Sequence, residues 1–224
     1  KYIHHTRLNR FAVFIPFQYS DIQAYLIEAT DQKFRFYRNE GIAVESDVVI
    51  SGISNTNPAV VSSTGHGYSN GDEVFINEVE GTTEINGTSY IVAGAAANSY
   101  QLHDVFGNTI DATSFGAYTG GGIGQKVYEI DTPYTESYLR YLNHAQDADL
   151  MYIVNRTFAP RKLIRSGDAN WSLATYSRTA DPFTGAGAWP GAITFTTDGA
   201  AVFGGTDNKP ETIFKSRTPT STGA

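Results

Sequence analysis

Between residues 8 and 46 the chain alternates short apolar runs with turn chemistry. Phe11-Ala12-Val13-Phe14-Ile15 is one such run, ended by Pro16, and Tyr25-Leu26-Ile27 is a second. In Lys33-Phe34-Arg35-Phe36 apolar and basic residues alternate with a period of two, the sign of a half-buried strand. Asp31-Gln32 and Asn39-Glu40-Gly41 supply the turns. This pattern predicts a β-meander.

Residues 47–124 change character, with fewer charges and more Gly, Ser, Thr and Asn. Strands are expected at Ala59–Ser63, Glu73–Val79, Ser89–Ala93 and Ser99–His103. The intervening Asn86-Gly87 and Gly107-Asn108 pairs suit tight turns, because both residues tolerate positive φ. The spacing predicts a small barrel, with Gly120-Gly121-Gly122 as a hinge back to the rest of the chain. Aromatic strands then resume at Lys126–Ile130, Leu150–Val154, Lys162–Arg165, Trp171–Tyr176, Ile193–Thr197, Ala201–Gly204 and Thr212–Lys215. One helix is expected over Glu136–Gln146, with Thr135 as its N-cap and Leu139 and Leu142 on one face. A faint repeat links Met151–Arg165 to Ala201–Lys215: apolar strand, proline loop, then a strand with a basic end. Such units suit blades of a propeller-like array.

The fold class is therefore all-β: a discontinuous sheet domain (residues 1–46 and 125–224) with an inserted small β-barrel (47–124) and one short helix. Composition agrees. Fourteen Tyr, 13 Phe and 22 Gly fit aromatic strands joined by glycine turns. The formal net charge of -7 argues against a general nucleic-acid binder, which needs clustered Lys and Arg, yet it suits a surface past which DNA slides. There are no cysteines, so disulfides, thiolate zinc sites and thiol catalysis are excluded. No apolar run reaches the roughly 18–20 residues that span a membrane as a helix. The chain begins at Lys1, and a longer parent chain is expected.

Two stretches carry a family resemblance. Ile53–Val61, Gly65-His66-Gly67-Tyr68-Ser69-Asn70-Gly71-Asp72-Glu73-Val74, Asn86–Tyr90 and Ala97–Leu102 together resemble a β-barrel module frequent in phage structural proteins. That module is termed FCCH-like, after the first catalytic-cysteine half-domain of ubiquitin-activating enzymes. Without a cysteine, ubiquitin chemistry is not expected. The flanks resemble phage tail proteins of the nozzle (tail tubular protein B) type, through Ile15-Pro16-Phe17-Gln18, Gln23–Glu28, Phe34–Tyr37, Val127–Tyr134, Ala148–Val154, Ala159–Leu163, Asn170-Trp171 and Phe203–Pro210. The resemblance implies a non-enzymatic virion component. Copies of the chain would close a homo-oligomeric ring, a hexamer in this family, around the DNA exit channel. It would contact other tail, adaptor or portal proteins and let viral DNA pass without specific binding. The alternative is a carbohydrate-binding or adhesin module that stacks Trp and Tyr on sugar rings.

No chemical motif competes with this reading. Gly120–Lys126 lacks the Gly-Lys-Ser/Thr ending of a phosphate loop. The histidines show no ligand spacing: His4-His5 reads as incidental, and His66 as part of a structural turn. The carboxylate pairs Asp72/Glu73, Glu78/Glu80 and Asp147/Asp149 read as solvated charge. No catalytic residue, metal or cofactor is expected. The candidate interface or channel contacts are the basic cluster Arg161, Lys162 and Arg165, for which a solvated face is the plainer reading, and Trp171 and Trp189, for which core is.

Overall fold

A computed structural model describes residues 4–20 and 23–177, together with the strand backbone at 194–195 and 201–202. The chain divides into two compact units, Lys1–Tyr176 and Ser177–Ala224. In the second, β17 (Thr194–Phe195) and β18 (Ala201–Val202) form an antiparallel pair. Trp189, the strand expected at Thr212–Lys215 and most of the repeat's second copy lie outside the described residues.

Among the described residues the first unit is all-β, with one α-helical turn and two short 3-10 turns at Arg7–Asn9 and Thr83–Ile85. β1 (Val13–Ser20), β2 (Gln23–Thr30) and β3 (Lys33–Arg38) form an antiparallel meander, and the short β4 (Gly41–Ile42) folds back on β3. Strand alternation places Ile15, Phe17, Tyr25, Ile27, Phe34 and Phe36 on one buried face.

The chain then builds a second sheet from β5 (Val48–Val49), β6 (Gly52–Ile53), β7 (Val60–Ser62), β8 (Glu73–Glu80), β9 (Thr88–Ala96), β10 (Ser99–His103) and β11 (Gly120–Lys126). Its order is β5-β11-β8-β9-β10-β7-β6. This sheet does not close into the expected barrel. β5 and β6 are consecutive halves of one segment, which bends between them and changes partner from β11 to β7; they cannot pair with each other. The fold still protects both edges, because that single segment covers them.

The expected glycine hinge is instead the start of β11, paired with β8. Gly121 (φ +65°) passes so close to β8 that a Cβ would lie 2.6 Å from the Glu78 carbonyl oxygen. At Gly122 a Cβ would lie 2.8 Å from Val79 Cγ2. The glycines permit close approach of backbone to sheet rather than flexibility.

After β11 the chain returns to the first sheet. β12 (Glu129–Asp131) pairs with β3, so the stretch expected as one strand, Lys126–Ile130, is divided between two sheets. The helix α1 spans only Glu136–Leu139. Residues 143–146, expected to continue it, instead belong to β13 (Asn143–Asp147), paired with β14 (Leu150–Val154). The helical pattern was carried by few apolar residues, and pairing with an apolar strand outweighs it. Thr135 makes no side-chain cap; the Glu136 amide donates instead to Asp31 Oδ1 at 2.9 Å. β15 (Arg161–Gly167) and β16 (Asn170–Thr175) complete a four-stranded meander with β13 and β14. It has the strand count of one propeller blade.

Two apolar cores result. One lies inside the seven-stranded sheet, around Val74, Ile76, Tyr100 and Leu102. The other joins the meander of β1–β3 to β14–β16 through Phe17, Phe36, Met151, Ile153, Leu163 and Trp171. Among the described residues no helix is long and apolar enough to cross a membrane.

Candidate functional site

The strands that bury apolar side chains on one face must place their alternate residues on the other. In β3, Phe34 and Phe36 enter one core, which directs Arg35 away from it. In β8, Val74 and Ile76 enter the other core, which directs Glu73 away. These two outward faces meet. Arg35 Nη1 lies 2.9 Å from Glu73 Oε2, with the side chains 3% and 1% exposed.

Sheet register assembles the rest. Glu28 on β2 and Glu129 on β12 both stand opposite Arg35, one on each side. Arg35 Nε donates to Glu129 Oε2 at 3.2 Å, and Arg7 Nε reaches the same oxygen at 3.0 Å. Lys33 Nζ bridges Glu129 and Asp131 at 3.0 and 2.9 Å. Glu28 accepts from the Arg7 amide at 2.7 Å and from the Tyr37 hydroxyl. His4 and His5 complete the group. Their Nε2 atoms lie 3.2 and 3.0 Å from Glu73 Oε1.

The electrostatics follow from burial and partners. Burial pushes the Glu73 carboxyl up, but contacts with His4, His5 and Arg35 outweigh it and hold the group well below the usual carboxylate range. Glu129 behaves likewise: burial raises it, and Arg35, Lys33 and Arg7 bring it below its ordinary value. Burial opposes the charge on Arg35, but Glu73, Glu129 and Glu28 more than restore it. Tyr37 is pushed up, first by burial and then by the Glu28 charge, so its phenol stays protonated.

Sequence reasoning missed this network. Asp72/Glu73 read as solvated charge, yet Glu73 is buried and only Asp72 has the surface role, pairing with Lys126 at 3.0 Å. His4-His5 read as incidental and instead pack against Glu73. The usable signal was the alternation around Arg35, which sets a charge between two phenylalanines of β3, and the acid Glu73 at the head of the apolar run of β8.

The seven-stranded sheet carries its own internal polar contacts. His66 donates from Nε2 to the Ala96 carbonyl at 2.7 Å, and its Nδ1 accepts from the Tyr68 amide at 3.0 Å. Both ring nitrogens are thus satisfied, as expected of a structural turn. Tyr68 donates to the Gly124 carbonyl at 2.8 Å across the sheet interior. These contacts, with the strand order given above, describe a compact β module.

Residues 56–128 match the ubiquitin-activating enzyme E1 FCCH domain. The matched residues run from β7 to β11. Among curated proteins, none matches the chain. Glu73 therefore lies within the matched residues, while Arg35, Glu28 and Glu129 lie outside them.

The residues singled out from sequence are distributed differently. Trp171 is core: its ring stacks on Phe36 at 4.3 Å and meets Phe17 and Tyr25 edge-on. Arg165 does not stand on a solvated face. It lies over Tyr19 with 3.9 Å between guanidinium carbon and ring centre, and pairs with Asp149 at 3.2 Å and Asp168 at 3.5 Å. Asp168 also accepts from Tyr25 and Arg38. Arg161 and Leu163 share the inner face of β15, while Lys162 turns to the other face; both basic residues are half-buried. None of the four described residues, Arg161, Lys162, Arg165 and Trp171, lies in the Arg35–Glu73 network.

Proposed function

We propose that this chain is a non-enzymatic structural component of a bacteriophage virion tail, of the nozzle or tail-tube type, whose copies assemble into a ring around the DNA exit channel. One observation carries the assembly reading. β1 is an eight-residue edge strand, and its outward face is apolar. Phe14 is 49% and Leu26 41% exposed, with Pro16, the pairing partner of Leu26, exposed between them. Gln146 exchanges hydrogen bonds of 3.0 and 2.7 Å with the Gln18 backbone, and Arg165 lies over Tyr19, both toward the far end of the strand from Phe14. A long edge strand with an apolar face is a hazard in a lone molecule and an interface in a ring. The resemblance of the flanks to tail proteins supports the location.

In this reading residues 47–124 are an inserted module that presents Val49 and Phe106 to another tail, adaptor or portal protein. Both side chains are more than two-thirds exposed. Arg161 and Lys162 serve as contacts between subunits or with the channel. Arg165 and Trp171 act inside the subunit. The net acidic charge lets DNA pass without sticking.

The test is electron microscopy of the full-length gene product purified with its neighbouring tail proteins. Rings or tubes with a central channel are expected, and Phe14→Asp with Leu26→Asp should disperse them into folded monomers. A wild-type chain that stays monomeric with those partners present overturns the reading. Binding on a glycan array would then favour the carbohydrate-binding alternative.

A further inference from the structure

We infer that His4, His5 and Glu73 form a binding site for a divalent transition-metal cation of the zinc class, joining the N-terminal segment to β8.

The geometry comes first. The ligand-type atoms of the three residues all lie within 4.8 Å of one another. Both imidazole Nε2 atoms converge on one oxygen, Glu73 Oε1, at 3.2 and 3.0 Å. Around a tetrahedral zinc ion with bonds of ~2.0–2.1 Å, neighbouring ligand atoms are about 3.3 Å apart. Two histidines and one carboxylate also form a known donor class that leaves a fourth position open.

Proton positions point the same way. His4 Nδ1 lies 2.8 Å from the His5 carbonyl oxygen, a contact that only an Nδ1–H can make. In the neutral ring this leaves the Nε2 lone pair aimed at Glu73. Ser89 Oγ lies 2.9 Å from the same nitrogen. His5 Nε2 and Glu73 Oε1 are buried, and neither makes a directed hydrogen bond despite their proximity. The His4 Nε2 lone pair and Glu73 Oε1 face one another at 3.2 Å, which calls for a positive charge between them, and His5 Nε2 stands 3.0 Å from the same oxygen.

The surroundings supply orientation. Arg35 takes the other carboxylate oxygen, Glu73 Oε2, at 2.9 Å and so turns Oε1 toward the histidines. The Arg35 charge opposes a cation, but it does not stand alone. The carboxylates Glu28, Glu73 and Glu129 balance the cations Arg7, Lys33 and Arg35, and Lys33 also pairs with the exposed Asp131. His4 also lines a cavity of about 180 Å³ with Thr6, Phe14, Leu26 and Tyr37.

The test uses the chain without an affinity tag, since added histidines would compete. Zinc titration by calorimetry should show one equivalent bound. Cobalt should give the visible absorption of a four-coordinate site. His4→Ala and His5→Ala should each weaken binding at least ~10-fold, while His144→Ala, on an exposed residue of β13, should leave it unchanged. Glu73→Gln removes a buried charge and can unfold the chain, so His5→Ala, on the more exposed histidine, is the deciding variant. Absence of stoichiometric zinc binding, or binding that survives both histidine substitutions, overturns the inference and leaves protons as the charge between these groups.

Discussion

Arg35 of β3 and Glu73 of β8 are paired at 2.9 Å where the backs of two separately cored sheets meet. Neither residue contributes to an apolar core, and both are nearly inaccessible to water. The pair is the centre of the ionic layer between the seven-stranded sheet and the meander of β1–β3.

Removing one partner leaves the other charge buried. Arg35→Ala or Glu73→Ala should therefore each cost about 3–5 kcal/mol of unfolding free energy. Replacing both with apolar residues of similar volume should cost less than either single change, since desolvation of both charges is avoided. Urea denaturation of the four proteins would measure the coupling. Additive losses would show that the pair does not act as a unit.

The same network sets a pH dependence. Glu73 and Glu129 are held below their ordinary values in the folded chain, so folding favours their ionised forms. Their contribution is fully present above the unfolded carboxylate pKa of about 4.3 and is lost as pH falls through the folded values. Unfolding free energy should drop progressively on acidification from about pH 5. Glu129→Gln should flatten that slope, and a slope equal to wild type would place the acid sensitivity elsewhere.

Gly121 and Gly65 separate two causes of glycine requirement. Their φ angles are +65° and +64°, but an added Cβ meets the Glu78 carbonyl at 2.6 Å in the first case and nothing within 4 Å in the second. Gly65→Ala should cost roughly 1–2 kcal/mol, the conformational term alone. Gly121→Ala should cost more, because backbone must also shift. Thermal unfolding of both variants checks the order, and equal losses would refute close packing of β11 on β8.

The cap of α1 offers a similar contrast. Asp31, in the turn between β2 and β3, accepts the Glu136 amide, whereas the Thr135 side chain caps nothing. Asp31→Ala should cost about 1 kcal/mol, the usual value of a lost cap. Thr135→Ala should be close to neutral. Chemical denaturation would distinguish them, and a larger effect at Thr135 would return the cap to the position local sequence suggests.

Much of the fold was legible from local pattern. Leu150–Val154 and Ser99–His103 are strands over the residues that alternation marked, and β8 and β15 differ only at their ends. His66 could be placed in a turn because Gly-His-Gly is local turn chemistry. The all-β class follows from the same short-range alternation of apolar and polar residues, which a strand converts directly into two faces.

Where several distant strands compete for a segment, local pattern did not suffice. Residues 143–146 looked helical until β14 was available to pair with them. Gly120–Gly122 looked like a hinge because only β8 and Ile50, remote in sequence, explain the lack of side chains there. The charged network was hidden for the same reason. Lys33-Phe34-Arg35-Phe36 by itself determined that Arg35 lies on the face opposite the phenylalanines. Only tertiary structure decided that this face is covered by Glu73 and two histidines rather than by water, because burial of a charge depends on what packs over it, and that partner lies 38 positions further along the chain.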